Sequence, residues 1–166
     1  ENNILTFFNF FNTKLALKLK KKLNTFDFIF ARNVIAHVPN PNEVFKGVSK
    51  LLTDNGIYII EVPHLSNIYK FNQYDNIFHE HAGNHSLKYI IDLSKKNNLK
   101  VFDVEKIDAQ GGSIRCYICK KNYLINISGK IKSILLQEKK LGLFSYFKLK
   151  KFKFTILNHI YEMQKL

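Results

Sequence analysis

Arginine is nearly absent from this 166-residue chain, with Arg32 and Arg115 standing against 24 lysines. The net charge of +13 invites a nucleic-acid or membrane-surface partner. Specific nucleic-acid binders favour the bidentate arginine fork, however, so its scarcity argues against one. The surplus of Lys, Asn, Ile and Phe is what an AT-rich coding sequence would give. Cysteine is as scarce: Cys116 and Cys119 sit in the run IRCYICK. On a strand, residues three apart point to opposite faces, which excludes an easy chelate or mutual bridge. Two buried, reduced thiols fit a reducing compartment, the cytoplasm. No apolar run reaches the roughly 18 residues of a membrane helix. At the N-terminus the lysines follow the apolar part, the wrong order for a signal peptide. An initiating Met is missing too, as expected of an internal piece of a longer protein.

What is present is enough apolar content, 46%, for a real core. Ile4, Leu5, Phe8, Phe11, Leu15 and Leu19 recur at helical spacing, which predicts an amphipathic helix over roughly 4–22. FDFIFA (26–31) is apolar on both faces and reads as a buried parallel strand. Asn40-Pro41 starts a helix whose stripe is Val44, Phe45, Val48, Leu51 and Leu52, with Gly56 suited to a left-handed cap. IYIIEV (57–62) is a second buried strand, and strand–helix–strand at this spacing is a parallel βαβ unit. Ser86 caps a further helix. Strands 99–107 and 113–120 follow, joined so closely that only antiparallel pairing is possible. From about 122 the pattern turns helical, and residues 121–166 carry ten lysines against Glu138 and Glu162.

The most reactive stretch is His79-Glu80-His81, set among Gln73, Tyr74, Asp75, Asn76 and Phe78. It is too polar for a core element, and imidazoles move protons near neutral pH. A loop that carries chemistry is the natural reading.

The order of motifs makes the wider resemblance specific: ARNVIAHVPNPNEV (31–44), GIYIIEVPHL (56–65), YDNIFHEH (74–81) and AQGGSIR (109–115). Together they resemble the S-adenosylmethionine-dependent sugar C-methyltransferases, which methylate a carbon of nucleotide-linked keto-sugars. The resemblance covers roughly residues 4–120. It implies an α/β fold: part of a Rossmann-like class I methyltransferase sheet, two parallel strands plus an antiparallel pair, with flanking helices. Residues 1–120 would be the second half of the catalytic domain, and 121–166 a basic helical segment leading into a further C-terminal portion. The family's Gly-rich cofactor turn, the acidic residue that takes the ribose hydroxyls and the zinc-binding cysteine segment have no match here. Zinc is therefore expected only in a preceding segment, and S-adenosylmethionine binding only half built.

The resemblance also implies roles. Carbon methylation needs a base to form an enolate and a group to stabilise its oxygen. His81 takes the place of the base, Glu80 would orient or polarise it, and His37 would bind the substrate oxygen. Arg32 and Asn33 would face the cofactor. Glu61, His64, Phe78, His79, Gly112, Ser113 and Arg115 would line the substrate pocket, Arg115 reaching a diphosphate. Phe78 stands where the family commonly has Tyr, and Tyr74 could replace that phenol only if the loop folds back. If the segment is extended, His79 lies nearer His81 than Glu80 does. Two rival readings remain: a zinc or iron centre built from His37, His79, Glu80 and His81, or a non-enzymatic module binding nucleic acid or anionic membrane through the lysine-rich tail. The nucleotide-sugar reading calls for a small-molecule partner, no specific nucleic acid and no membrane span.

Overall fold

The structure is a computed structural model and describes residues 4–165. The chain runs α1 (Thr13–Leu23), β1 (Phe26–Arg32), α2 (Pro41–Leu51), β2 (Leu52–Pro63), α3 (Leu65–Lys70), α4 (Leu87–Lys96), β3 (Leu99–Ile107), β4 (Ser113–Lys120), α5 (Gly129–Leu141) and α6 (Tyr146–Met163), with 3-10 turns at Ile35–His37 and Tyr74–Asn76. The four strands form one sheet in the order β1-β2-β4-β3. β1 and β2 pair in parallel, and the other two pairings are antiparallel. The α/β class, the βαβ unit and the bounds of β3 and β4 are as the sequence predicts.

One face of the sheet carries Tyr58, Ile60 and Val62 of β2 beside Ile114, Cys116 and Ile118 of β4. These pack into a single buried cluster with Val44, Phe45 and Val48 of α2, Leu87, Ile90 and Leu93 of α4, and Ile131 and Ile134 of α5. The core therefore extends past residue 120 and takes in α5. Cys116 lies on this face, while Cys119 pairs with Ile57 on the other, and both thiols are free and buried. Burial pushes both thiols up from their ordinary value.

Three expectations need correction. The first helix starts at Thr13 rather than near residue 4, because the Asn12 side chain accepts the Leu15 N–H and caps it there. Residues 4–11 are not helical, and Phe8 and Phe10 are exposed. β1 is parallel but not buried on both faces. It is an edge strand, and Phe28 and Phe30 are 70% and 57% exposed. Gly56 is no left-handed cap: α2 ends in an extended Leu52, which already pairs with Phe26. Glycine is needed at 56 for space, since a Cβ there would lie 2.8 Å from the Leu52 side chain.

Candidate active site

The parallel strands end at Arg32 and Pro63, and the chain crosses this edge of the sheet twice. After β1, Asn33 turns the backbone with a left-handed φ of 52° and donates its N–H to the Glu61 carbonyl. The 3-10 turn that follows carries His37. After β2, the segment 65–85 loops out and returns, bringing the second histidine back over the first. The His37 and His81 rings lie 4.9 Å apart at 58°. This is the edge of an open α/β sheet where ligands bind.

Both imidazoles are oriented by backbone. His37 Nδ1 donates to the Glu80 carbonyl at 2.9 Å, and His81 Nδ1 donates to the Asn76 carbonyl at 2.7 Å. A carbonyl only accepts, so each neutral ring carries its proton on Nδ1 and presents the Nε2 lone pair. Neither Nε2 has a hydrogen-bond partner among the described residues. Phe78 lies tilted by 39° against His81 with centroids 4.2 Å apart, and the Gly83 N–H donates to the Ala36 carbonyl, closing the loop on the turn below. His85, which the sequence reading passed over, donates from Nε2 to the Ile35 carbonyl at 3.3 Å and so supports the same turn. Burial pushes its imidazole below the ordinary value, with the nearby His81 adding to the effect.

The segment is not extended: the His81 N–H bonds back to the Phe78 carbonyl. His79 therefore swings outward and is almost fully exposed. The Glu80 carboxylate is exposed as well, 3.9 Å from His79, so Glu80 serves the site through its backbone carbonyl and holds His37 rather than His81. Tyr74 faces away, its ring edge-on to His159 of α6 at 5.6 Å, so no phenol replaces the one absent at Phe78.

The remaining candidates form a supporting layer. Arg32, Glu61, Arg115 and Glu105 are in register across all four strands, one charge of alternating sign on each. Glu61 is 3% exposed and gripped from both sides, with Arg32 Nε at 3.1 Å and Arg115 at 2.6 and 2.7 Å. Arg115 also meets Glu105 at 3.6 Å. In this structure both guanidiniums engage carboxylates of the sheet itself, Arg32 through Nε with the rest of its side chain exposed. Gly111 and Gly112 have φ of 74° and 103°, and a Cβ on Gly112 would lie 1.9 Å from the Asn67 amide nitrogen. Ser113 bonds back to the Ala109 carbonyl, and the Gly112 carbonyl accepts the His64 N–H. The GGS turn thus packs against the start of segment 65–85. His64 is buried, not pocket-lining: its Nε2 donates to Glu138 of α5 at 2.8 Å. In the sequence Glu138 counts only as one of the two acids in the basic tail, although it lies on the apolar stripe of Ile131, Ile134 and Leu135.

Among the described residues no group of three or more His, Cys, Asp or Glu is placed to hold a metal ion, and no helix is long and apolar enough to cross a membrane.

A mixed sheet of this order, with the histidine-bearing loops at the ends of its parallel strands, is part of a Rossmann-like α/β domain. The model of the family described as a methyltransferase domain matches residues 3–104, and the chain belongs to that family. It is 35% identical over 115 residues to the C-methyltransferase NovU of Streptomyces niveus, covering 69% of this chain and 27% of that protein. The chain thus spans about 27% of the length of that curated relative. A structure from Thermotoga maritima, described as a SAM-dependent methyltransferase and possible histamine N-methyltransferase, superposes with a TM-score of 0.49 at 17% identity, over 58% of this chain and 56% of that one. A SAM-dependent methyltransferase from Methanosarcina mazei gives 0.48 at 12% identity, over 58% and 59%.

The cofactor of such a domain is S-adenosylmethionine. An open cavity of ≈ 870 Å³ lies beside β1, walled by Val34, Val38, Val44 and Val48, with Asn33 and His37 at its rim. The buried Tyr58 hydroxyl at its lining has no partner among the described residues, and Glu43 is already held by Thr13 at 2.7 Å. Apolar walls with a few polar atoms fit one side of such a cofactor.

Proposed function

We propose that this chain contributes the proton-abstracting half of an S-adenosylmethionine-dependent C-methyltransferase acting on a nucleotide-linked keto-sugar in the cytoplasm. The observation that carries the reading is the facing pair His37 and His81, each tied by Nδ1 and open at Nε2. In its neutral form His81 accepts the proton on the carbon next to the substrate carbonyl. In its protonated form His37 donates from Nε2 to the enolate oxygen as charge develops there. Phe78 holds the His81 ring and contributes an apolar wall without a hydroxyl. Asn33 and the 33–38 turn would hold the cofactor, which when bound supplies an electrophilic methyl group. The GGS turn and the Arg32–Glu61–Arg115–Glu105 row keep the loops and strand ends in register beneath the site.

The 35% identity to a C-methyltransferase supports carbon rather than oxygen or nitrogen as acceptor. The test is transfer of labelled methyl from S-adenosylmethionine to a nucleotide-linked keto-sugar by the full-length protein, with the label located on carbon by NMR. Label on oxygen or nitrogen would overturn the enolate route. With only one wall of the cofactor cavity in residues 1–166, calorimetry on that piece alone should show S-adenosylmethionine binding weaker than the roughly micromolar range typical of enzyme sites.

A further inference from the structure

Segment 65–85 carries His81 and the carbonyls that orient both histidines, so its two feet decide where the imidazoles sit. The feet are adjacent: His64 bridges to His85, and the Leu65 N–H donates to the His85 carbonyl at 3.1 Å. One side chain from a distant helix reaches both. Glu138 of α5 accepts from His64 Nε2 at 2.8 Å on the outgoing side. On the returning side it accepts the Leu87 and Lys88 N–H groups, at 2.5 and 3.1 Å, in the first turn of α4. Ser66 Oγ lies 3.1 Å from the same His64 nitrogen. Glu138 is 0% exposed and His64 2%.

Burying a carboxylate is costly unless every lone pair is matched, and here three donors converge on two oxygens. The Ser86 side chain meets only the Tyr89 N–H of α4, so the same carboxylate that holds His64 also satisfies the two orphan amides before it and ties the returning foot to the outgoing one. We infer that Glu138 is a positioning residue that clasps both feet of segment 65–85 and thereby sets the His37–His81 geometry. The inference rests on the proposed role of those histidines. It makes α5 part of the active-site machinery without touching substrate.

The test is the Glu138→Gln substitution in the full-length protein, which keeps the shape but offers one acceptor oxygen to three donors. Hydrogen exchange followed by mass spectrometry should show amides of 65–85 exchanging at least about tenfold faster, with 99–107 and 113–120 unchanged. Methyl transfer to a nucleotide-linked keto-sugar should lose about 100-fold in kcat, with KM and S-adenosylmethionine affinity within about twofold, because misplaced reacting groups tax the chemical step. Wild-type protection of 65–85, or faster exchange spread across the whole sheet, overturns the clasp. So does a KM-only effect. If Glu138→Gln does not fold, His64→Gln severs one foot only and should show the same regional pattern at about threefold. Should the wild-type protein transfer no methyl group, the functional reading falls, and the exchange pattern alone decides the clasp.

Discussion

His37 with His81 and His64 with Glu138 are two histidine clusters built on the same loop, and they are opposites. In the first, backbone carbonyls take one nitrogen of each ring and leave the other free at the rim of the sheet. In the second, the buried Glu138 carboxylate takes three donors in the dry interior, the His64 Nε2 and two amides of α4. Chemistry needs a titratable nitrogen open to a substrate, whereas fixing a loop needs one committed to a buried partner. The partner and the burial, rather than the residue type, separate the two roles.

The sharpest way to break this contrast is His81→Ala. Methyl transfer by the full-length protein should fall at least about 10³-fold, while calorimetry finds S-adenosylmethionine affinity unchanged. Normal turnover would remove His81 as base. Glu138→Ala should lower unfolding free energy by about 3–5 kcal/mol in urea titrations, because it strands two amide donors and the His64 ring in the interior. A change below about 1 kcal/mol would mean that water or a shifted side chain satisfies them. His37→Asn should cost about 100-fold in kcat through loss of the oxygen-side donor, yet leave the urea midpoint in place because His37 is exposed. The smallest effect belongs to His85. Burial holds its folded-state value below the ordinary 6.5, so the unfolded chain takes up the proton more readily. Its contribution to stability is complete above 6.5 and is lost as pH falls through the lower folded value. His85→Gln should flatten that acid-side decline in urea midpoint, and an unaltered slope would assign the decline elsewhere.

Much of the fold was legible because local signals agreed with tertiary placement. Ser86 caps α4 through Tyr89, and β3 and β4 end where turn residues begin. The failures have physical reasons. Helical spacing of aromatics over 4–11 meant little without a surface to pack on, and Asn12 captured the helix start. β1 looked buried because apolar composition records what a strand can be covered by, not what covers it. In the site, the resemblance assigned His37 and His81 to one substrate, but the approach of their rings to 4.9 Å came only with the fold of the loop. The roles of Glu61 and His64 were hidden, since a buried ion pair and a pocket charge read alike until partners are known. Glu138 could have been noticed: a carboxylate in phase with Ile131, Ile134 and Leu135 is an acid on an apolar stripe.

The row of alternating charges across the sheet bears on the odd composition of the chain. Lysine serves wherever any ammonium will do, and the whole chain holds two arginines. Both grip the same carboxylate, Arg115 through two nitrogens of its planar fork, a grip that a single rotating ammonium cannot reproduce. In a sequence this biased, the rare residue type becomes a marker. Here it marks the place where geometry, and not charge alone, does the holding.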